Sequence, residues 1–143
     1  MKTRTTIKAR GYHADMFGHV NHARFVELLE EGRWCYNEEN GLPDLFHAAH
    51  LGHVVIKIVV NYRRGVRPGE TMRIETEVKE RGRSSYTMGQ AIYLEPGEVQ
   101  VLDAEVVNVF VETASGRVAV PDEDFIRRWP DLAAAGKKEK TDG

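Results

Sequence analysis

Cysteine is nearly absent: Cys35 stands alone in 143 residues. That excludes an intrachain disulfide framework and a cysteine zinc cluster. No apolar run approaches the roughly 20 residues that cross a bilayer as a helix, so no membrane insertion is expected. The opening MKTRTTIKARGYH lacks the apolar centre of a secretory signal, so a cytoplasmic protein is expected. No charge of one sign dominates: 20 Lys and Arg against 22 Asp and Glu leave a net charge of -2. The basic residues are scattered, which argues against a nucleic-acid partner. No repeat or linker is visible, so residues 1–130 read as one domain, with 131–143 as a mobile C-terminal tail.

What is present is a chain with 41% hydrophobic and 29% charged residues, long enough to bury a core. Residues 3–12 are rich in β-branched types and predict a first strand. From His22 to about Asn40 the period becomes helical. Phe25, Leu28, Leu29, Gly32, Cys35 and Tyr36 recur at spacings of three and four, so they share one face and predict a buried stripe. Asn21 is the expected N-cap and Asn40-Gly41 the stop. Gly32 inside that stripe predicts a close approach by another backbone. PDLFHAAH at 43–50 predicts a short helix.

After Gly52 the period changes to two. HVVIKIVVNYRR predicts a strand buried on both faces, because its apolar run is nearly continuous. TMRIETEVKER alternates strictly, and strands follow over 83–94 and 99–112. RVAVP predicts a short last strand, and DEDFIRRWP a brief helix capped by Asp122. One strand, one long helix and a meander of strands, without βαβ alternation, predict an α+β fold. The simple solution is an antiparallel sheet curled around the helix.

The chemistry concentrates in ADMFGHVNHARF at 14–25. His13, Asp15, His19 and His22 offer nitrogen and oxygen donors, but their spacing matches no metal motif with a mechanism, and no metal is expected. GRSSY at 82–86 lacks the strand-turn-helix setting of a nucleophilic serine. Cys35, on the apolar stripe, is expected to be buried and inert.

Asp15 lies seven residues before the start of the long helix. A helix start leaves N–H groups without partners, and its dipole favours negative charge, so it can polarise a carbonyl oxygen. A carboxylate beside it could attack that carbonyl or deprotonate a water. A thioester suits such a site, because its thiol leaves without a strong general acid. From spacing alone, a turn or capping role for Asp15 is the leading reading.

The run from Tyr12 to Phe25, continuing into Glu30-Glu31-Gly32-Arg33, resembles the hotdog-fold acyl-CoA thioesterases of the 4-hydroxybenzoyl-CoA thioesterase type. These include the short bacterial acyl-CoA thioester hydrolases of the Tol-Pal cluster. Asn61-Tyr62-Arg63-Arg64 to Pro68-Gly69-Glu70, Lys79 to Tyr86, and Gly116-Arg117 to Pro121 follow in the family order. The resemblance implies a hotdog fold, a long central helix wrapped by a curled antiparallel sheet. It implies an acyl-CoA substrate, with coenzyme A as part of that substrate and no separate cofactor. It also implies a homodimer or homotetramer with sites at the subunit interface.

Asp15 falls on the family's nucleophile or general base, and His22 on the residue whose backbone N–H faces the carbonyl. Gly18 and Asn21 belong to the same motif and are expected to bind substrate. Arg81, Arg83, Ser84 and Ser85 fall in the segment that meets the nucleotide end of coenzyme A. Where the family commonly has Asp-x-Asp, this chain has His13-x-Asp15, and Phe17 stands beside Gly18; both bear on the acyl group accepted. A hotdog hydratase or dehydratase and a non-catalytic acyl-CoA-binding protein are the rival readings.

Overall fold

The computed structural model describes residues 2–137. Strand β1 spans Thr3–Lys8, helix α1 His22–Glu39 and helix α2 Leu42–Ala48. Four long strands follow: β2 Leu51–Tyr62, β3 Thr71–Arg81, β4 Ser85–Glu95 and β5 Val99–Glu112. Short helices α3 (Glu123–Arg128) and α4 (Pro130–Ala134) and a two-residue strand β6 (Gly136–Lys137) close the described chain. The sheet order is β1-β3-β4-β5-β2, all antiparallel, with β6 lying parallel beside the end of β3. The expected hotdog arrangement is present: α1 lies across the concave face of a curled sheet.

The helical period places the contact. Phe25, Leu28, Leu29, Gly32 and Tyr36 are all buried. Complete burial of Leu29 alone contributes about 1.5–3 kcal/mol. Gly32 meets the sheet, but side chains rather than a backbone make the approach: a Cβ there would stand 2.7 Å from Ile74 Cγ2 and 3.1 Å from Thr76 Oγ1. Gln90 ties the helix down, donating to the Leu29 carbonyl at 2.8 Å and to Thr76 Oγ1 at 3.0 Å. On either side of this polar belt lies an apolar cluster. One gathers Val20, Phe25, Leu29, Met72 and Ile92; the other gathers Tyr36, Phe46, Tyr86, Phe110 and Trp129.

Several sequence expectations need correction. The first strand ends at Lys8, because residues 11–13 form a tight helical turn in which His13 Nδ1 accepts from the Arg10 N–H at 2.9 Å. Strand β2 is not buried on both faces. It is an edge strand with one neighbour, and Val54, Val55, Ile56, Val59 and Tyr62 are exposed. Its apolar run therefore marks an uncovered surface. RVAVP makes only a single bridge, Val111 with Val118. Cys35 lies off the buried stripe, partly exposed, with its Sγ 3.6 Å from Glu31 Oε2.

The segment from Asp131 to Lys137 belongs to the fold rather than to a tail. Leu132 is buried, and Asp131 accepts from the Tyr36 hydroxyl at 2.6 Å. The rest of the expected tail, 138–143, lies outside the described residues.

Candidate active site

The motif that opens the helix folds into a compact loop. The Asp15 N–H donates to the His19 carbonyl at 2.8 Å, and the Gly18 N–H to the Asp15 carbonyl at 3.1 Å. Gly18 takes a φ of +79°, which explains a glycine at that position. Asp15 Oδ1 accepts from the Phe17 N–H at 2.9 Å and from the His19 N–H at 3.3 Å. The turn reading of Asp15 is therefore correct for one oxygen. The other, Oδ2, has no partner among the described residues.

One bond ties the loop to the helix start and another ties it to the β2–β3 connection. The Asn21 N–H donates to the His13 carbonyl at 2.8 Å, and the Val20 N–H to the Val66 carbonyl at 2.7 Å. Asn21 is the N-cap, its side chain accepting from the Ala23 N–H at 2.8 Å. Nothing among the described residues accepts from the His22 N–H. From β2, the Tyr62 hydroxyl donates to the His22 carbonyl at 2.9 Å, and its ring lies 5.9 Å from that of Phe25. Around the loop, Tyr12, Met16 and Phe17 expose large apolar side chains to solvent. An anchored carboxylate, a free N–H at a helix start and an apolar rim suit attack on an acyl carbonyl.

The structure thus brings Asp15, Gly18, Asn21 and His22 together, with Gly18 and Asn21 serving the backbone of the loop and cap. It does not bring Arg81, Arg83, Ser84 and Ser85 to them within one chain. The loop docks at Val66, just before β3 begins at Thr71, whereas Arg81 ends β3. At about 3.3 Å per residue, the β3–β4 hairpin lies roughly 30 Å away. There the Gly82 N–H donates to the Ser85 carbonyl and the Phe110 N–H to the Ser84 carbonyl, both at 2.9 Å. Arg83 is exposed, and Arg81 Nε is buried without a partner among the described residues.

The sequence alone gives Tyr62 no role at the helix start. Tyr62 stands in the quoted NYRR motif, but only the fold carries it to His22. Among the described residues, no group of three or more His, Cys, Asp or Glu is placed to hold a metal ion.

The profile of the thioesterase-like superfamily matches residues 11–129, from the turn before the Asp15 loop to Trp129. The chain belongs to this superfamily. As a thioesterase-like chain it is a thioester hydrolase. It is 36% identical over 108 residues to the long-chain acyl-CoA thioesterase FadM of Escherichia coli strain K12, covering 76% of this chain and 82% of that one. The crystal structure of YbaW, a probable thioesterase from Escherichia coli, superposes with a TM-score of 0.83 at 30% identity, over 90% of this chain and 97% of that one. A hypothetical Staphylococcus aureus protein solved in complex with CoA shares the fold, with a TM-score of 0.80 at 10% identity, over 100% and 93% of the two chains. No helix among the described residues is long and apolar enough to cross a membrane.

Proposed function

We propose that this chain hydrolyses acyl-CoA thioesters to the free acid and coenzyme A in the cytoplasm. The observation that carries the reading is the divided role of the Asp15 carboxylate. One oxygen is fixed by two backbone N–H groups, and the other is free beside the helix start. The substrate carbonyl oxygen would accept from the His22 N–H, which would also stabilise the oxyanion. Asp15 Oδ2 then has two routes. As a base it takes a proton from water, whose oxygen adds to the carbonyl carbon while the thiolate leaves. As a nucleophile it displaces the thiolate to form a mixed anhydride, which water then opens.

Coenzyme A would meet Arg81, Arg83, Ser84 and Ser85. Since these lie at the other end of the sheet, the reading includes a homodimer or homotetramer. The exposed β2 edge supports it, because an unpaired apolar edge is a template for another strand. β2 runs from the hairpin end, where His53 pairs with Phe110, to Tyr62 at the Asp15 end. Antiparallel pairing of two such edges would set the hairpin end of one copy beside the Asp15 end of the other. The test is thiol release by the purified protein across a panel of acyl-CoAs of graded length. Release from at least one acyl-CoA is expected, and none from any would overturn the reading.

A further inference from the structure

The second half of α1 carries a polar cluster that the Asp15 chemistry does not use. Arg33 lies about 16 Å beyond His22 at 1.5 Å per residue. Its guanidinium donates to Gln90 Oε1 at 3.1 Å and forms no ion pair among the described residues. Glu30, one turn earlier, is engaged by Trp34, whose Nε1–H donates to Glu30 Oε2 at 3.2 Å. Burial draws the Arg33 pKa down, with the charge of Glu30 opposing that shift.

Arg33 lines a cavity of about 240 Å³ between α1 and the strands, together with Asn37, His53, Tyr86, Asn108 and one carboxylate, Glu30, whose Oε2 is turned to the Trp34 N–H. Asn37 and Asn108 are only 9% and 3% exposed, yet Asn37 Oδ1 and Asn108 Nδ2 have no hydrogen-bond partner among the described residues. Buried amide atoms without partners point to a missing polar group. Tyr86 is held as the neutral phenol by burial. His53 is kept neutral first by burial and then by the Arg33 charge. The two side chains are hydrogen-bonded through Tyr86 Oη and His53 Nδ1. With the phenol donating, His53 keeps its proton on Nε2.

We infer that this cavity is a binding site for a carboxylate group. The cation is Arg33, and the neutral donors are Asn108 Nδ2–H and His53 Nε2–H. The unpartnered atom of Asn37 is an acceptor, Oδ1; a half-turn of its amide, whose two ends have nearly the same shape, would exchange it for a donor. A carboxylate, with two oxygens that accept only, matches such a set. It has two possible sources: a second carboxylate at the far end of an acyl chain, or a free carboxylic acid. The site itself stands apart from the acyl-CoA reading; only the first source depends on it.

Trp34 lines the cavity and is half-exposed, whereas Trp129, the other tryptophan, is buried in the aromatic cluster. Tryptophan fluorescence therefore reports occupancy, and Trp34→Phe assigns the signal. Titration with hexanoate should give a saturable change, and hexan-1-ol none. Arg33→Gln and Asn108→Leu, each checked for folding by thermal melting, should weaken hexanoate by about tenfold or more. Asp15→Asn should bind hexanoate as the wild type does. Equal binding of the alcohol, no saturation in the wild type, or unchanged affinity in both variants would overturn the proposal.

The two sources separate in turnover. A preference for an ω-carboxyacyl-CoA over the plain acyl-CoA of equal length, lost in Arg33→Gln, assigns the chain terminus. Equal turnover of the two with competitive inhibition by hexanoate assigns the free acid. Binding of hexanoate without cleavage of any thioester would support the site and remove the acyl-CoA reading.

Discussion

The Tyr62 hydroxyl donates to the His22 carbonyl at 2.9 Å, so the last residue of β2 is tied to the first turn of α1. The bond crosses 40 residues of sequence and fixes the edge strand to the helix start beside Asp15. Tyr62→Phe removes it while keeping the ring against Phe25. Stability should fall by about 0.5–1.5 kcal/mol, read by urea unfolding. Turnover should fall more than KM rises, since the bond orients the helix start. An unchanged kcat would mean that Tyr62 serves stability alone.

Gly32 faces the sheet with no room for a side chain. Gly32→Ala improves helix propensity by about 1 kcal/mol. It also sets a Cβ 2.7 Å from Ile74 Cγ2, too close to hold without movement. The clash is expected to win, with a net loss of about 1–2 kcal/mol as for an overpacked core. A raised melting temperature in Gly32→Ala would show that β3 yields freely.

Glu75 provides a pH-dependent contribution. Burial raises its pKa, but ion pairs with Arg73, Lys2 and Arg4 outweigh that and hold it below the ordinary 4.5. A depressed folded pKa stabilises the fold above the unfolded value, and the contribution is lost as pH falls through the folded one. Stability should therefore decline as pH drops below about 4.5. Glu75→Gln should be less stable at pH 7 and show a shallower acid decline in melts from pH 7 to 3. Parallel curves for the two proteins would contradict this.

Assembly is tested by sedimentation. A species of twice or four times 16.2 kDa is expected, and a monomer at micromolar concentration would contradict the interface site. In the assembled enzyme, Arg83→Ala should raise KM for acyl-CoA, with high salt mimicking the change. A pantetheine thioester, lacking the nucleotide, should be indifferent. Equal losses on both substrates would show that Arg83 does not meet the nucleotide.

How far the sequence could be read follows from which contacts are local. The helix stripe, the Asn21 and Asp122 caps and the alternation of β3 depend on near neighbours, so their bounds were legible. The run HVVIKIVV misleads because apolar residues on an edge look like apolar residues in a core; only the pairing order tells them apart. Leu132 looks like tail in sequence because its partner Tyr36 lies far back along the chain. Of the candidate site, the Asp15 loop and the helix start at His22 are legible because they lie within one short motif. Tyr62 at His22, and the Arg33 cavity drawn from α1, β2, β4 and β5, exist only once the sheet has curled.

The central claim is that Asp15 Oδ2 performs the chemistry. The most direct measurement is kcat of Asp15→Asn on an acyl-CoA that the wild type cleaves, with KM from the same titration. The substitution keeps size and leaves an oxygen that can accept from the Phe17 and His19 N–H groups, so loop and binding should persist. A fall in kcat of about 10²–10⁴ with KM nearly unchanged is predicted. A variant turning over at close to the wild-type rate would contradict the account.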